Sequence, residues 1–319
     1  MNGTPSQDHV RGIFLGAAIG DAMGMPFQFL HPQVVRELFL KRPEAYLTAP
    51  EGHVNAALGR GHYTDETQLL ILTAESLLQC GDVDVDSVAA GMLQLYETDG
   101  WITPGRSVLA ACRQLQRGRP WFEAGGYRDG SKPLAFVPPL VIRHFTDNDA
   151  IVHHSTALAR GILVEPKVLA GCACFGLLLK NICLCRDSGE LADAVRATAD
   201  CMAGHHPAFR DMLLWVLSLL DTGIEEGLEE LGTGYSVLET LFAALFAFLK
   251  YPDDFLMTVS SVIYAGDNAD TTGFLAGALS GAFNTFERIP ENLVAGLRDH
   301  EFLIDLADRF YSFSSSLPS

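Results

Sequence analysis

Apolar residues recur at helical spacing along almost the whole chain, and no run of alternating β-branched residues interrupts them. In Glu66–Gln79, for example, leucines and small polar residues return every three or four positions, which is the period of one helix face. Asp99-Gly100 and Asp129-Gly130 are turn dipeptides, but neither joins two strand-like segments. The pattern therefore predicts an all-α fold class.

The same periodicity predicts about a dozen helices joined by loops rich in Gly and Pro. The predicted helices are Val10–Met23, Glu66–Gln79, Val85–Thr98, Ser107–Gln116, Ser155–Val164, Val168–Cys185, Ser188–Ala203, Ala208–Asp221, Ser236–Leu249, Phe255–Tyr264, Asp270–Phe283, Pro290–Leu297 and Glu301–Phe310. The predicted loops are Gly100–Arg106, Gly118–Pro139 and Gly223–Gly234. No loop resembles a domain linker, so we predict a single domain over residues 1–319, with a core at about 11–312 and frayed, Ser-rich or polar ends.

The composition excludes several classes of function. The 319 residues include 22 basic and 39 acidic side chains, a net charge of −17, so we expect no nucleic-acid partner and no anionic membrane surface. Val168–Cys185 has about the length of a membrane span, but comparable runs with acids between them favour buried helices. Seven cysteines and the polar start Met1–Arg11 predict a reducing, cytoplasmic location.

Two acidic segments stand out as candidates for chemistry. Gly61–Thr67 and Gly266–Gly273 each place carboxylates and a Thr hydroxyl at the start of a predicted helix. Taken singly, each segment is explained by ordinary helix capping, since Thr, Asp and Asn cap N-termini and acids favour the first turn. Taken together, they offer the hard oxygen ligands that Mg²⁺ prefers. They predict a metal site if the two helix starts meet in space.

A third segment, Gly16–Gln28, is rich in small residues and allows close packing of backbones. Gly273, Gly277 and Gly281 form a stripe of the same kind. With the two acidic segments, this one resembles the ADP-ribosylglycohydrolase family. The resemblance rests on three motifs in the same order, which are Gly20-Asp21-Ala22-Met23-Gly24, Thr64-Asp65-Glu66-Thr67 and Gly266-Asp267-Asn268-Ala269-Asp270-Thr271, and it extends over about residues 11–282.

The resemblance implies a single domain of orthogonally packed helices that cleaves the bond between C1″ of ADP-ribose and an acceptor with the help of Mg²⁺. It implies metal ligands at Thr64, Asp65, Glu66, Asn268, Asp270 and Thr271, with Asp65 or Glu66 as the catalytic general base. It also implies substrate contacts at Asp21, Gln28, Gly130, Ser131 and His154. The partner is then an ADP-ribose-containing substrate.

Three departures from the family pattern bear on the metal. The family usually carries Glu at the position of Gln28, Asp at the position of Asn268 and Asp at the position of Glu66. Two negative charges are therefore missing, and affinity for divalent ions depends on ligand charge. We predict that one Mg²⁺ site is retained, in which Mn²⁺ can substitute, and that a second site is weak or empty. Asp267 would restore one charge if the segment shifted in register.

The same departures keep two alternatives open. One is a one-metal hydrolase of a different ADP-ribose-like substrate. The other is a non-catalytic family member that binds ADP-ribose or serves structurally. Asp65, Asp270 and the two threonines favour retained metal chemistry, whereas Gln28 and Asn268 favour the alternatives.

Overall fold

Helices make up nearly all of the secondary structure in the computed structural model, which describes residues 4–315 and confirms the all-α fold class. Within those residues there is no β-strand, and an isolated parallel bridge joins Gly126 to Leu163. The α-helices are α1 (Gln7–Gly24), α2 (Pro32–Leu38), α3 (Asp65–Cys80), α4 (Val85–Glu97), α5 (Arg106–Gln116), α6 (Trp121–Ala124), α7 (Val137–Arg143), α8 (Asn148–Ala159), α9 (Pro166–Cys183), α10 (Leu191–Ala203), α11 (Pro207–Ser218), α12 (Ile224–Leu231), α13 (Val237–Lys250), α14 (Phe255–Ile263), α15 (Ala269–Asn284), α16 (Glu291–Gly296) and α17 (His300–Ser315). Short 3-10 helices are Met25–Phe27, Lys132–Phe136, Ser188–Glu190 and Phe286–Arg288.

Helices α1 and α15 pack against each other at the centre of the molecule because glycine recurs every fourth residue on both. A Cβ added at Gly16 would lie 2.3 Å from the carbonyl oxygen of Gly277, and one added at Gly20 would lie 1.9 Å from that of Gly273. The partner numbers fall as the α1 numbers rise, so the two helices are antiparallel. The predicted close-packing stripe is confirmed. Its consequence is that Asp21, near the end of α1, comes close to the start of α15.

Helix α9 is the apolar segment whose length matches a membrane span. Its 18 residues satisfy a length and hydropathy test for such a span, and so does the bent pair Gln7–Phe27 with Pro32–Leu38. However, 72% of α9 is buried inside the protein. Burial of this extent is typical of a core helix, which is how the sequence analysis interpreted this segment.

Two segments predicted as loops contain helices. Gly223–Gly234 includes α12, whose Ile224, Leu228 and Leu231 are buried along one face. Gly118–Pro139 includes α6, the 3-10 helix at Lys132–Phe136 and the start of α7. Proline stands in the first turn of this 3-10 helix and of α7, where its missing N–H costs no hydrogen bond. The prediction was wrong because it took these prolines as helix breakers.

Two helix ends also differ from prediction. Helix α8 begins at Asn148 rather than at Ser155, since the Asp147 side chain caps it by accepting a hydrogen bond from the Ala150 N–H at 2.9 Å. His154 therefore lies inside α8 and not before it. Helix α17 continues through Ser315, beyond the start of the tail predicted to be frayed. Residues 1–3 and 316–319 lie outside the described residues.

Candidate active site and metal centre

The starts of α3 and α15 lie together although Glu66 and Thr271 are 205 residues apart in the chain. The Thr271 hydroxyl donates a hydrogen bond to Oε1 of Glu66. Carboxylate oxygens of Asp65, Glu66 and Asp270 lie within 4.8 Å of one another, and all three side chains are fully buried. The convergence on which the metal hypothesis depends is present. We call Asp65, Glu66 and Asp270 the acidic cluster.

Asp21 ties the end of α1 to the start of α3. Its two oxygens accept hydrogen bonds from the backbone N–H and hydroxyl groups of Thr64 and Thr67, at 2.6–3.1 Å. Asp21 was expected from sequence to contact substrate. In the structure these donors occupy both of its oxygens, and Asp21 is not among the residues that line the cavity beside the acidic cluster. The structure therefore supports a positioning role for Asp21.

The Thr64 hydroxyl is shared between two carboxyl groups. It lies 2.7 Å from Oδ1 of Asp21 and 2.6 Å from Oε2 of Glu66. A hydroxyl has one proton to donate, so one of these contacts needs a proton on the carboxyl side. Burial, with the charge of Glu66, raises the pKa of Asp21 to about 7. Of these two carboxyl groups, Asp21 therefore takes up that proton first.

Lys132 is the functional residue that the sequence analysis missed. Its Nζ lies 2.8 Å from Oδ1 of Asp65 and also contacts Oε1 of Glu66, and its side chain is only 10% exposed. The residue directly follows Gly130 and Ser131, which were expected only to contact substrate. The sequence around Lys132 gives no signal that its ammonium is buried among carboxylates from another helix, since the nearby Asp129 pairs instead with Lys167.

The pKa values of the acidic cluster follow from burial and from this ammonium. Burial raises the pKa of Glu66, but the charge of Lys132 and several hydrogen bonds outweigh it and lower the value to about 2. Burial raises the pKa of Asp65 to about 8 although Lys132 opposes it. Burial, then the charge of Glu66, raises the pKa of Asp270. One ammonium supplies too little positive charge to keep all three carboxyls ionised.

Asp270 presents an oxygen that has no partner. Its Oδ1 accepts a hydrogen bond from the Thr271 N–H at 2.7 Å, whereas its Oδ2 is buried and unsatisfied. An unpaired buried acceptor is costly, and a hard cation satisfies it. Three carboxylates and one ammonium leave two negative charges. The donor set therefore fits one divalent cation.

Asn268, which replaces an acid of the family pattern, is fitted as an amide. Its Nδ2 donates to the hydroxyl oxygens of Ser131 and Thr240, both at 2.9 Å, which a carboxylate could not do. Its Oδ1 lies 3.3 Å from the Thr271 hydroxyl. Asp267 does not restore the missing charge, because its Oδ2 accepts from the Thr233 hydroxyl at 3.1 Å and takes no part in the acidic cluster.

Beside the acidic cluster is a cavity of about 600 Å³, large enough for a nucleotide-sized ligand. Its lining includes five residues named by the sequence analysis, which are Gln28, Gly130, Ser131, Asn268 and Thr271, together with Lys132. Gln28 is buried, and its Oε1 accepts a hydrogen bond from the amide of Asn55 at 3.2 Å. The carboxyl groups of the acidic cluster lie behind this lining, in contact with Lys132 and Thr271.

The outer part of the cavity is cationic and aromatic. Arg106 and Arg128 line it, and neither guanidinium forms an ion pair with any residue between 4 and 315. Phe29 and Tyr235 stack there with ring centroids 5.9 Å apart, and Phe29 holds a left-handed backbone with φ of 64°. Sequence reasoning missed all four because they come from separate loops.

His154 lies away from the acidic cluster. Its ring stacks on His144 with centroids 4.5 Å apart, and Nε2 of His144 is 3.2 Å from Oδ1 of Asp82. Asp82 follows the end of α3, whereas Asp65 begins it, and a helix of that length spans about 24 Å. The structure therefore does not bring His154 to the cavity, in contrast to the expectation from sequence.

Comparison with known proteins gives one consistent result. A family model described as ADP-ribosylglycohydrolase matches residues 2–316. The protein named ADP-ribosylhydrolase ARH3 of Mus musculus is 25% identical, over 88% of this chain and 85% of that protein. ADP-ribosylarginine hydrolase Tri1 of Serratia proteamaculans (strain 568) is 24% identical, over 96% of this chain and 80% of that protein. A solved structure described as an ADP-ribosylglycohydrolase-related protein complex superposes with a TM-score of 0.77 at 26% identity, covering 97% and 98% of the two chains.

Proposed function

The chain belongs to the ADP-ribosylglycohydrolase family, and from that premise we propose that it hydrolyses an ADP-ribosyl glycosidic bond with one Mg²⁺ bound. The observation that carries the proposal is Oδ2 of Asp270, which is buried and has no hydrogen-bond partner among residues 4–315. It belongs to an acidic cluster that lies behind Lys132 and Thr271, two residues that line a nucleotide-sized cavity. A buried carboxylate oxygen without a hydrogen-bond partner is costly, and a purely structural role gives no reason to keep one beside a large cavity.

The metal in this proposal is held by oxygen atoms of the acidic cluster and its threonines. Asp270, Glu66 and Thr271 supply carboxylate and hydroxyl ligands from the two helix starts, and Thr64 and Asp65 complete the set. A Mg²⁺ or Mn²⁺ ion held by these residues would supply Lewis-acid chemistry at the ribose hydroxyls and stabilisation of negative charge. Asn268 contributes at most a neutral amide oxygen.

Asp65 is the better of the two candidate general bases. The pKa of Glu66, lowered to about 2, makes that carboxylate a weak proton acceptor. Asp65 has its pKa raised by burial and therefore holds a proton more tightly. In the hydrolysis, a water oxygen bonds to C1″ as the bond to the acceptor breaks. Asp65 takes one proton of that water, and the acceptor, which departs with the electron pair of the broken bond, takes up that proton from Asp65.

The remainder of the cavity fits the rest of an ADP-ribosyl group. Arg106 and Arg128 offer charge to a diphosphate that a chain of net charge −17 would otherwise repel. The stacked rings of Phe29 and Tyr235 offer a flat apolar surface for adenine. Gly130 and Ser131 supply backbone and hydroxyl groups near the ribose side. The proposed location is the cytoplasm, which the seven free cysteines support.

A non-catalytic ADP-ribose-binding protein is the second candidate function. The specific observation in its favour is that Asn268 is held as an amide by Ser131 and Thr240, so the loss of an acid at this position is built into the packing. This candidate predicts tight ADP-ribose binding without turnover.

The test is release of ADP-ribose from ADP-ribosylated arginine and serine peptides in the presence of Mg²⁺. Asp65→Asn removes the base and is expected to lower turnover by about 100-fold or more. Asp86→Asn is the matched control, because Asp86 stands in the first turn of α4 as Asp65 does in α3, but on the surface. Binding of ADP-ribose with no release from either peptide would favour the second candidate.

A further inference from the structure

The buried ammonium of Lys132 has a role that its ion pairs alone do not explain. Lysine is almost never buried unless it is paired, and an ion pair buried for stability alone gives little net gain. Here the ammonium contacts two members of the acidic cluster, Asp65 and Glu66, and both of these are fully buried. Its third acidic neighbour is Asp270, whose charge also acts on it.

The path of the Lys132 side chain is built into the fold. The residue begins the 3-10 helix at Lys132–Phe136, and its side chain passes beneath Gly105, the residue before α5. A Cβ at Gly105 would lie 3.2 Å from Cε of Lys132 and 3.7 Å from Oδ2 of Asp65. The Gly105 N–H also donates to that Oδ2 at 2.9 Å. The loop therefore covers the lysine and holds Asp65 toward it.

The ammonium and a divalent cation would use different oxygens of the acidic cluster. Lys132 contacts Oδ1 of Asp65 and Oε1 of Glu66, whereas Oδ2 of Asp270 remains without a partner. The three carboxylates and the ammonium of Lys132 together leave two negative charges, which one divalent cation compensates. A second divalent ion placed among the same three carboxylates would face the fixed ammonium at close range, which Coulomb repulsion opposes.

We propose that Lys132 is a permanent internal cation that takes the place of a second divalent metal ion, so that the site binds one metal ion and not two. The inference rests on the proposed function for the presence of a metal site, but it makes its own claim about the number of ions. Because the lysine is covalently part of the chain, one of the three negative charges of the acidic cluster is compensated before any metal ion binds.

The experiment is a Mn²⁺ titration of the full chain, followed by calorimetry and by electron paramagnetic resonance. The unaltered chain is expected to bind one Mn²⁺ with the spectrum of an isolated ion. Lys132→Met removes the charge but keeps an unbranched side chain, and it is expected to bind two Mn²⁺ with a spectrum of coupled ions. Lys180→Met, which removes a lysine that contacts only Asn148 near the surface, is the control and is expected to bind one.

A second readout separates the internal cation from an ordinary buried ion pair. In EDTA, Lys132→Met is expected to lower the melting temperature by about 5 °C or more, and excess Mn²⁺ is expected to restore it. Two Mn²⁺ on the unaltered chain, or an unchanged count in Lys132→Met, would overturn the proposal. If Lys132→Met does not fold, the count on the unaltered chain decides alone.

The outcome is independent of the hydrolysis assay. ADP-ribose release by a chain that holds two Mn²⁺ refutes the role of Lys132 and the single metal ion, but leaves the proposed hydrolysis standing. One Mn²⁺ on the unaltered chain and two on Lys132→Met, without release of ADP-ribose from any peptide, supports the internal cation and refutes hydrolysis.

Discussion

Gly20 and Gly273 approach so closely that a methyl group on Gly20 would lie 1.9 Å from the carbonyl oxygen of Gly273. This contact sets the distance between α1 and α15. Asp21 directly follows Gly20 on α1, and Asp270 lies three residues before Gly273 on α15. The geometry of the acidic cluster therefore depends on two residues that have no side chain. The packing of α1 against α15 therefore also positions two buried carboxyl groups of the site, those of Asp21 and Asp270.

Gly20→Ala is expected to destabilise the protein by about 2 kcal/mol or more, because neither backbone can move away without opening the core. The measurement is urea denaturation followed by circular dichroism. Gly204→Ala is the control, since no heavy atom lies within 4 Å of a Cβ added there, and it is expected to change the free energy of unfolding by less than about 0.5 kcal/mol. Equal stability of the two variants would contradict the packing described for α1 and α15.

The metal-free protein is expected to lose stability as the pH rises from 5 to 8. Burial raises the pKa of Asp21 to about 7 from its ordinary value of 3.8, so between these values the folded state binds a proton that the unfolded state has released. The free energy of unfolding then falls with pH, by roughly 3 kcal/mol for this one group. Asp65, with its pKa raised to about 8, acts in the same direction.

The measurement is urea denaturation in EDTA across this pH range, repeated with saturating Mg²⁺. A bound cation favours the ionised carboxyls, so Mg²⁺ is expected to flatten the decline. Asp21→Asn removes one titrating group and is expected to reduce the slope in EDTA. A rise of stability with pH in EDTA would contradict the assigned pKa directions.

Gly105→Ala is expected to disturb Lys132 with little effect on folding. The backbone at Gly105 has φ of −63°, which any residue adopts, but the new Cβ would lie 3.2 Å from Cε of Lys132. We expect a loss of about tenfold in ADP-ribose release with a melting temperature within about 2 °C of the unaltered chain. Gly223→Ala is a close control, because Gly223 also precedes a helix, with φ of −64° and nothing within 4 Å of the added Cβ.

The sequence was sufficient to predict the helical fold and, within the site, the two acidic helix starts. Helical periodicity is a local signal, and so are the capping-type segments at Thr64 and Asn268. The two segments meet only through long-range packing of the helices. The glycines of α1 and α15 indicated that backbones pack closely, but not which helices they join. The departures at Gln28 and Asn268 predicted a reduced metal site, and that prediction stays open to the Mn²⁺ titration.

The rest of the site depends on side chains that reach it from unrelated loops. Lys132, Arg106 and Tyr235 carry no local pattern that separates them from ordinary surface residues. His154 shows the opposite failure, because it was expected from the family resemblance to contact substrate. Asp147 caps α8 at an earlier start than predicted, and His154 lies inside that helix, grouped with His144 and Asp82. The N-cap residue decides where a helix begins. When that start differs from the predicted one, every side chain that follows lies in a different place from the one expected.

Arg106→Ala and Arg128→Ala are expected to raise KM for an ADP-ribosylated peptide by about 5- to 10-fold each, with a smaller change in kcat. Both guanidinium groups line the outer cavity, away from the bond that is cleaved, so they contribute to binding before and during the reaction alike. Since both are exposed, the effect is expected to shrink as the salt concentration rises. Arg210→Ala on α11 is the control, because Arg210 is exposed but outside the cavity. A fall in kcat at constant KM would instead place these arginines at the reacting atoms and contradict a role in binding.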